Sequence, residues 1–245
     1  RQAASAMRPA HWIPADGATT LCELFAARVA ATPDAPAYRF YSPRKSAWRT
    51  LSWAEAETRV AAWTRVLHAH GVIPGDRVAI MLRNSPEWLC VEQAVMRLGA
   101  MSVGLFCADT PASNAHLVAH SQARVLVAVK ASWVTRILDA DDCEALETAL
   151  VFTGTWAEAP RLASADDALA GARALPDPAL AWPAPDTVAS LIYTSGSSGR
   201  ARGAMLTHAS LLFNAQSVAD VLPGVLDECA LSYVPLAHSY ERVAD

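Results

Sequence analysis

The run Tyr193–His208, YTSGSSGRARGAMLTH, is where this chain carries recognisable chemistry. Thr194, Ser195, Ser197 and Ser198 offer hydroxyl donors, and Arg202 supplies a cation. Gly196, Gly199 and Gly203 let a ligand approach their backbone N–H groups with no Cβ in the way. No aliphatic side chain larger than alanine interrupts Tyr193–Gly203, so the stretch has nothing to place in a core. It can wrap an anion, and this mixture of donors suits a polyphosphate. The plain alternative is a Gly/Ser surface linker. Against it stand the apolar run Val188–Tyr193, which reads as a short buried strand, and a helical pattern from His208. A Walker loop is excluded, because Gly196–Gly203 contains no G-x-x-x-x-G-K-[ST].

A second segment, Leu231–Val243 (LSYVPLAHSYERV), follows at a short distance, and Gly75–Trp88 (GDRVAIMLRNSPEW) precedes both. The loop resembles the phosphate-binding signature of the adenylate-forming, AMP-binding superfamily, roughly Y-T-S-G-[ST]-[ST]-G-x-P-K-G with a T-H pair soon after. Tyr193, Thr194, Ser195, Gly196, Ser197, Ser198, Gly199, Gly203, Thr207 and His208 match it. Ala201 stands where proline is usual and Arg202 where lysine is usual. Arginine keeps the charge but presents a planar fork instead of a point ammonium. Leu231–Val243 is similar to the next family motif in the form found in long-chain fatty acyl-CoA synthetases, and Gly75–Trp88 resembles the family's early strand-turn-helix. The resemblance runs from about Thr19 to the end.

The resemblance implies ATP-dependent activation of a fatty acid. A carboxylate attacks the α-phosphorus, giving acyl-AMP and pyrophosphate, and coenzyme A then displaces AMP to give acyl-CoA. Both first reactants are anions, so the site must neutralise the triphosphate and hold the carboxylate in line. By resemblance Thr194, Ser195, Gly196, Ser197, Ser198, Gly199, Arg202 and Gly203 hold the nucleotide, and Mg2+ enters with ATP beside Thr194. His238 and Arg202 are the candidate catalytic residues, with His238 and Tyr240 beside the acyl substrate. A histidine satisfied at a strand end is the plain alternative for His238, and an exposed charged pair for Glu241 and Arg242. Tyr233 lines the acyl pocket or only packs. His208 reads as a polar residue at a helix start behind the N-cap Thr207, with approach to the nucleotide as the alternative. His116 and His120 have a zinc-compatible spacing, but no H-E-x-x-H motif supports a metal, and they read as a solvated helix face. Rival functions are an acyl-AMP ligase feeding a carrier protein and a non-catalytic nucleotide-binding remnant.

These residues need a scaffold, and the remaining sequence predicts one. Capping boxes Thr20/Glu23 and Ser52/Glu55 open helices, the second ending at Gly71. Strands are predicted at Ala37–Tyr41, Arg49–Ser52, Val78–Leu82, Met101–Phe106, Arg124–Val129, Leu150–Thr153 and Val188–Tyr193. Further helices are predicted from Pro86 to about Leu98, at Asn114–Ser121, at Trp133–Leu138 and from His208 to about Leu222, with Trp53, Trp63 and Trp88 as core anchors. The alternation predicts an α/β fold of layered, mostly parallel sheets flanked by helices, part of an N-terminal adenylation domain. Pro176, Pro178, Pro183 and Pro185 mark a boundary, dividing the chain into an N-terminal extension (1–18), a first subdomain (19–185) and the start of a second carrying the loop (186–245).

With 245 residues and 53% hydrophobic side chains, a sizeable core is expected. The formal net charge is −4 and no block of like charge appears, which argues against nucleic acid as a partner. Five scattered cysteines with no C-x-x-C pair suit reduced, core-filling thiols of a cytoplasmic protein. No apolar stretch spans a bilayer, leaving peripheral membrane contact through the lipid substrate. The later Y-G-x-T-E motif and C-terminal lysine domain implied by the resemblance are not in the chain, so it is expected to be a piece of a longer protein.

Overall fold

Helix α1 (Leu21–Ala31) begins where Thr20 Oγ1 accepts from the Glu23 amide and the Glu23 carboxylate accepts from Thr20 N, both at 3.2 Å. The same reciprocal box, Ser52 with Glu55, opens α2 (Trp53–Ala69). Between them β1 (Pro36–Ser42) and β2 (Ala47–Ser52) form a separate antiparallel ribbon joined by a 3-10 turn at Pro43–Lys45. These elements belong to a computed structural model that describes residues 17–141, 143–155, 160–194, 201–221 and 231–238.

The main sheet is built from β3 (Arg77–Met81), β4 (Met101–Gly104), β5 (Val125–Lys130), β6 (Thr148–Thr153), β7 (Leu162–Ser164), β8 (Val188–Thr194) and β9 (Arg202–Thr207). Its order is β7-β6-β5-β3-β4-β8-β9, parallel throughout except for the β8–β9 pair. Helices α3 (Pro86–Arg97), α4 (Pro111–Ser121), α5 (Ala131–Ala140), α6 (Ala165–Gly171) and α7 (His208–Val221) complete the chain.

Period-two alternation in the strands explains the layering. Val78, Ile80, Val125 and Val127 face a core with α2 and α3, anchored by the fully buried Trp63 and Trp88. Ala79, Met81, Leu126 and Ala128 point the other way, into a core with Val118 of α4 and Val134 and Ile137 of α5. Strands apolar on both faces must be covered on both faces, which gives three layers with the parallel sheet in the middle. This is the architecture the sequence predicts.

Three local differences have physical causes. Helix α4 starts three residues earlier than Asn114, because Thr110 is the N-cap and Pro111 takes the first turn, where its missing N–H costs nothing. The short β7 and α6, capped by Ser164 on the Asp167 amide at 3.1 Å, are too brief for a periodic signal. The third is Arg202–Thr207, which pairs antiparallel with β8 and carries the chain directly into α7. Residues 195–200, between these two paired strands, lie outside the described residues. Strands β8 and β9 extend the same sheet as β3–β7, across the Pro-rich stretch at 176–185. Cys22, Cys90 and Cys143 are buried, and burial pushes the Cys22 and Cys90 thiols up to about 12, as suits inert core residues. Cys229 lies outside the described residues.

Candidate functional site

In a parallel sheet the loops leaving the carboxyl ends of the strands share one edge, and ligands of open α/β folds bind there. Here Ala79 of β3, Val103 of β4 and Leu191 of β8 lie in one row across the sheet. Thr194 follows Leu191 up β8 to that edge, and Asn84 follows Ala79 just beyond the end of β3. The strands they leave, β8 and β3, are separated by β4 alone, about 10 Å across at two strand spacings.

Asn84 joins the Gly75–Trp88 segment to the Leu231–Val243 segment. Its Nδ2 donates to Ser232 Oγ at 3.0 Å and to the Val234 carbonyl at 2.7 Å, and its Oδ1 accepts from Leu236 N at 2.9 Å. An amide side chain alone offers both a donor and an acceptor for such a clamp. Leu236 and Ala237 are buried beside it, and a turn from His238 N to Pro235 O at 2.7 Å follows at once. His238, exposed, is thereby carried on a segment anchored at the carboxyl edge, the edge that Thr194 of β8 also reaches. No role for Asn84 emerged from sequence. The available signal was an asparagine in the turn after a buried apolar strand, and it did not reveal a partner some 150 residues away.

Thr194 and Arg202 are cross-strand partners at the base of the hairpin tip, both exposed, and no carboxylate among the described residues pairs with Arg202. Ser195, Gly196, Ser197, Ser198 and Gly199 lie outside the described residues, as do Tyr240, Glu241 and Arg242. Gly203 has a role beyond backbone access. A Cβ there would come within 3.2 Å of Tyr193 Cζ, so glycine lets the Tyr193 ring lie across the opposite strand. The Tyr193 hydroxyl is 2.8 Å from His120 Nδ1 on α4, which ties the stem of the hairpin to the helix layer. His120 is exposed, as a solvated helix face predicts, and it also engages the stem of the hairpin, with His116 stacked obliquely on it at 5.7 Å. Tyr233 is exposed and packs no described core.

His208 sits at the opposite end of the hairpin. Strand β9 runs back toward Val188, at the amino end of β8, and delivers His208 into a fully buried position. Its Nδ1 accepts from Leu21 N at 3.3 Å, locking α7 to the start of α1, and burial pushes its pKa down to about 4. The alternative of an approach to the nucleotide is thus overturned: His208 is a neutral structural residue. Thr207 is the N-cap expected, accepting from Ser210 N at 3.2 Å.

A Mg2+ ion carried in with a nucleotide is commonly held by one or two protein oxygens, phosphate oxygens and water. The Thr194 hydroxyl at the loop base suits that donor set, and no group of three or more His, Cys, Asp or Glu among the described residues forms an all-protein cage. Two cavities, of about 520 and 410 Å³, lie elsewhere. They sit under the 178–187 segment, one along α1 and Arg97 and one at the amino ends of β3, β4 and β8.

Comparison with known proteins supplies the context. The family model described as AMP-binding enzyme matches residues 25–245. A peroxisomal long chain acyl-CoA synthetase 6 of Arabidopsis thaliana is 29% identical over 204 residues, covering 80% of this chain and 29% of that protein. A feruloyl-CoA synthase of an Amycolatopsis species is 36% identical over 206 residues, covering 81% and 37%. The chain therefore spans about a third of the length of these curated relatives. Among solved structures, the A-PCP didomain of the carboxylic acid reductase from Segniliparus rugosus, in complex with AMP, superposes with a TM-score of 0.75 at 20% identity, over 100% of this chain and 39% of that one. The adenylation domain of a Mycobacterium chelonae carboxylate reductase gives 0.74 at 23% identity, over 99% and 42%. With the family model covering nearly the whole chain and the same three-layer fold in these neighbours, the chain belongs to the AMP-binding enzyme family.

Proposed function

We propose that the protein of which this chain is part activates a fatty acid with ATP, forming acyl-AMP and then acyl-CoA. The observation that supports this reading is the arrangement at one sheet edge: the Thr194–Arg202 pair at the end of β8, and the His238 segment clamped by Asn84. The tip's amides and hydroxyls, with Arg202, would cradle the β- and γ-phosphates. His238 would stand on the acyl side and hydrogen-bond the carboxylate, with Tyr240 as a further acyl contact. Bound Mg2+ would spread the triphosphate charge so that a carboxylate can approach. Preorganised donors of this kind are worth about 3–4 kcal/mol each in transition-state stabilisation. The long chain acyl-CoA synthetase relatives support a lipid acid as substrate.

The feruloyl-CoA synthase relatives, at 36% identity, favour a second reading in which the acid is aromatic. Acid-dependent exchange of labelled pyrophosphate into ATP, measured on the full-length protein with fatty and aryl acids, separates the two. Exchange with fatty acids supports the proposal, and exchange with aryl acids alone replaces it by the second reading. ATP binding with no exchange for any acid makes the protein a non-catalytic nucleotide binder. Acyl-adenylate formation with no acyl-CoA assigns it to carrier-protein loading.

A further inference from the structure

The β1–β2 ribbon stands outside the main sheet and has an unusual surface. Cross-strand partners in an antiparallel pair share a face, so Tyr41 with Trp48 and Arg39 with Thr50 form its outer side. Tyr41 is 50% exposed and Trp48 59%. The two rings meet edge to face at 6.0 Å, and the Arg39 guanidinium covers Trp48 at 5.5 Å. Lys45 at the turn is also exposed, whereas Arg49, the cross-strand partner of Phe40, lies on the other face. The stretch between Asp34 and Glu55 contains Arg39, Arg44, Lys45 and Arg49 and no acidic residue, in a chain whose net charge is −4. The hairpin sets Arg39 on the same face as the two rings, with Lys45 at the turn that joins the strands.

The inner side explains why the ribbon holds its shape. Tyr38 and Phe40 pack against the α2–α3 core, Tyr38 resting on Trp53 at 5.8 Å, and Leu51 is buried. The outer aromatics therefore serve no packing need of the fold. Exposed tryptophan and tyrosine flanked by arginine and lysine match the interface of an anionic bilayer, where the rings sit among headgroups and the cations meet lipid phosphates and carboxylates. A nucleic acid would need aromatic faces free for stacking, whereas Trp48 is covered by Arg39 and abutted by Tyr41.

We propose that the outer face of the β1–β2 ribbon is a docking surface for anionic lipid bilayers. Each basic side chain near such a surface contributes about fivefold to binding, so Arg39 and Lys45 together contribute about twenty-fivefold. The attraction weakens as salt shortens the screening length.

The test is co-sedimentation of the full-length protein with vesicles of phosphatidylcholine alone, or of phosphatidylcholine with phosphatidylserine. It reads binding without turnover, so it stands or falls separately from the fatty-acid reading. The expected result is salt-sensitive binding to the anionic vesicles only. It should fall at least tenfold in Arg39→Gln/Lys45→Gln and again in Tyr41→Ser/Trp48→Ser, and change little in Arg49→Gln on the other face. Lys45→Gln alone, changing one exposed turn residue, should fall about fivefold and keeps the test available if a multiple variant folds poorly. No binding to anionic vesicles, binding untouched by the substitutions at Arg39, Tyr41, Lys45 and Trp48, or equal competition by DNA of either strandedness would overturn the proposal.

Discussion

Replacing Asn84 by alanine tests whether the clamp positions the site. The substitution removes three hydrogen bonds, of 3.0, 2.7 and 2.9 Å, that hold Ser232, Val234 and Leu236 to the end of β3. At about 1 kcal/mol net for each, the anchored state of the 232–236 segment loses about 3 kcal/mol. A tenfold change corresponds to about 1.4 kcal/mol, so the equilibrium constant for anchoring falls by about two orders of magnitude. If His238 acts on the acyl substrate from this segment, kcat/KM for the acid in pyrophosphate exchange should fall about a hundredfold, with a smaller change in KM for ATP. Asn84→Asp should behave like the alanine variant, because it keeps an acceptor for Leu236 N but sets an oxygen against the Val234 carbonyl. Urea unfolding of the same proteins separates local from global effects. Wild-type kinetics in Asn84→Ala, or a loss explained entirely by a smaller folded fraction, would refute the reasoning.

His208 makes stability depend on pH. Its folded value of about 4 lies below its ordinary 6.5 because burial disfavours the charged ring, with the Glu23 carboxylate opposing weakly. The unfolded chain therefore binds the extra proton, so this contribution is complete above pH 6.5 and is lost as pH falls toward 4, up to about 3 kcal/mol. Urea midpoints at pH 7 and pH 5 should differ less in His208→Gln than in wild type, and equal pH slopes would count against the assignment. Arg202→Ala in the full-length protein should lower kcat/KM for ATP by about a hundredfold, with partial recovery in Arg202→Lys; unchanged ATP kinetics would remove Arg202 from the phosphate site. Gly203→Ala forces the Tyr193 ring aside by a few tenths of an ångström, and Tyr193→Phe removes its bond to His120. Each should cost about 1 kcal/mol in urea unfolding, and a neutral Gly203→Ala would show that the ring has room.

Much of the scaffold was legible because local rules carried it. The Thr20/Glu23 and Ser52/Glu55 boxes and Ser85-Pro86 mark helix starts through contacts three residues apart. Val78–Met81 reads as a buried strand because it is apolar on both faces, as a central parallel strand must be. Arg202–Thr207 escaped because its pattern is not that of a two-faced strand. It is an edge strand exposed from Arg202 to Met205, paired on one side only, with β8.

The candidate site divides in the same way. The residue types of the Tyr193–Gly203 run, and the order of the three motifs, were written in the chain itself, because anion binding needs small residues, hydroxyls and charge whatever surrounds them. Tertiary structure alone decided that Asn84 would bind a segment some 150 residues away, and that His208, next to the loop in sequence, would be buried at the far edge of the sheet. Strand direction is the reason: a hairpin returns the chain to the end it came from, whereas parallel strands bring distant carboxyl ends together.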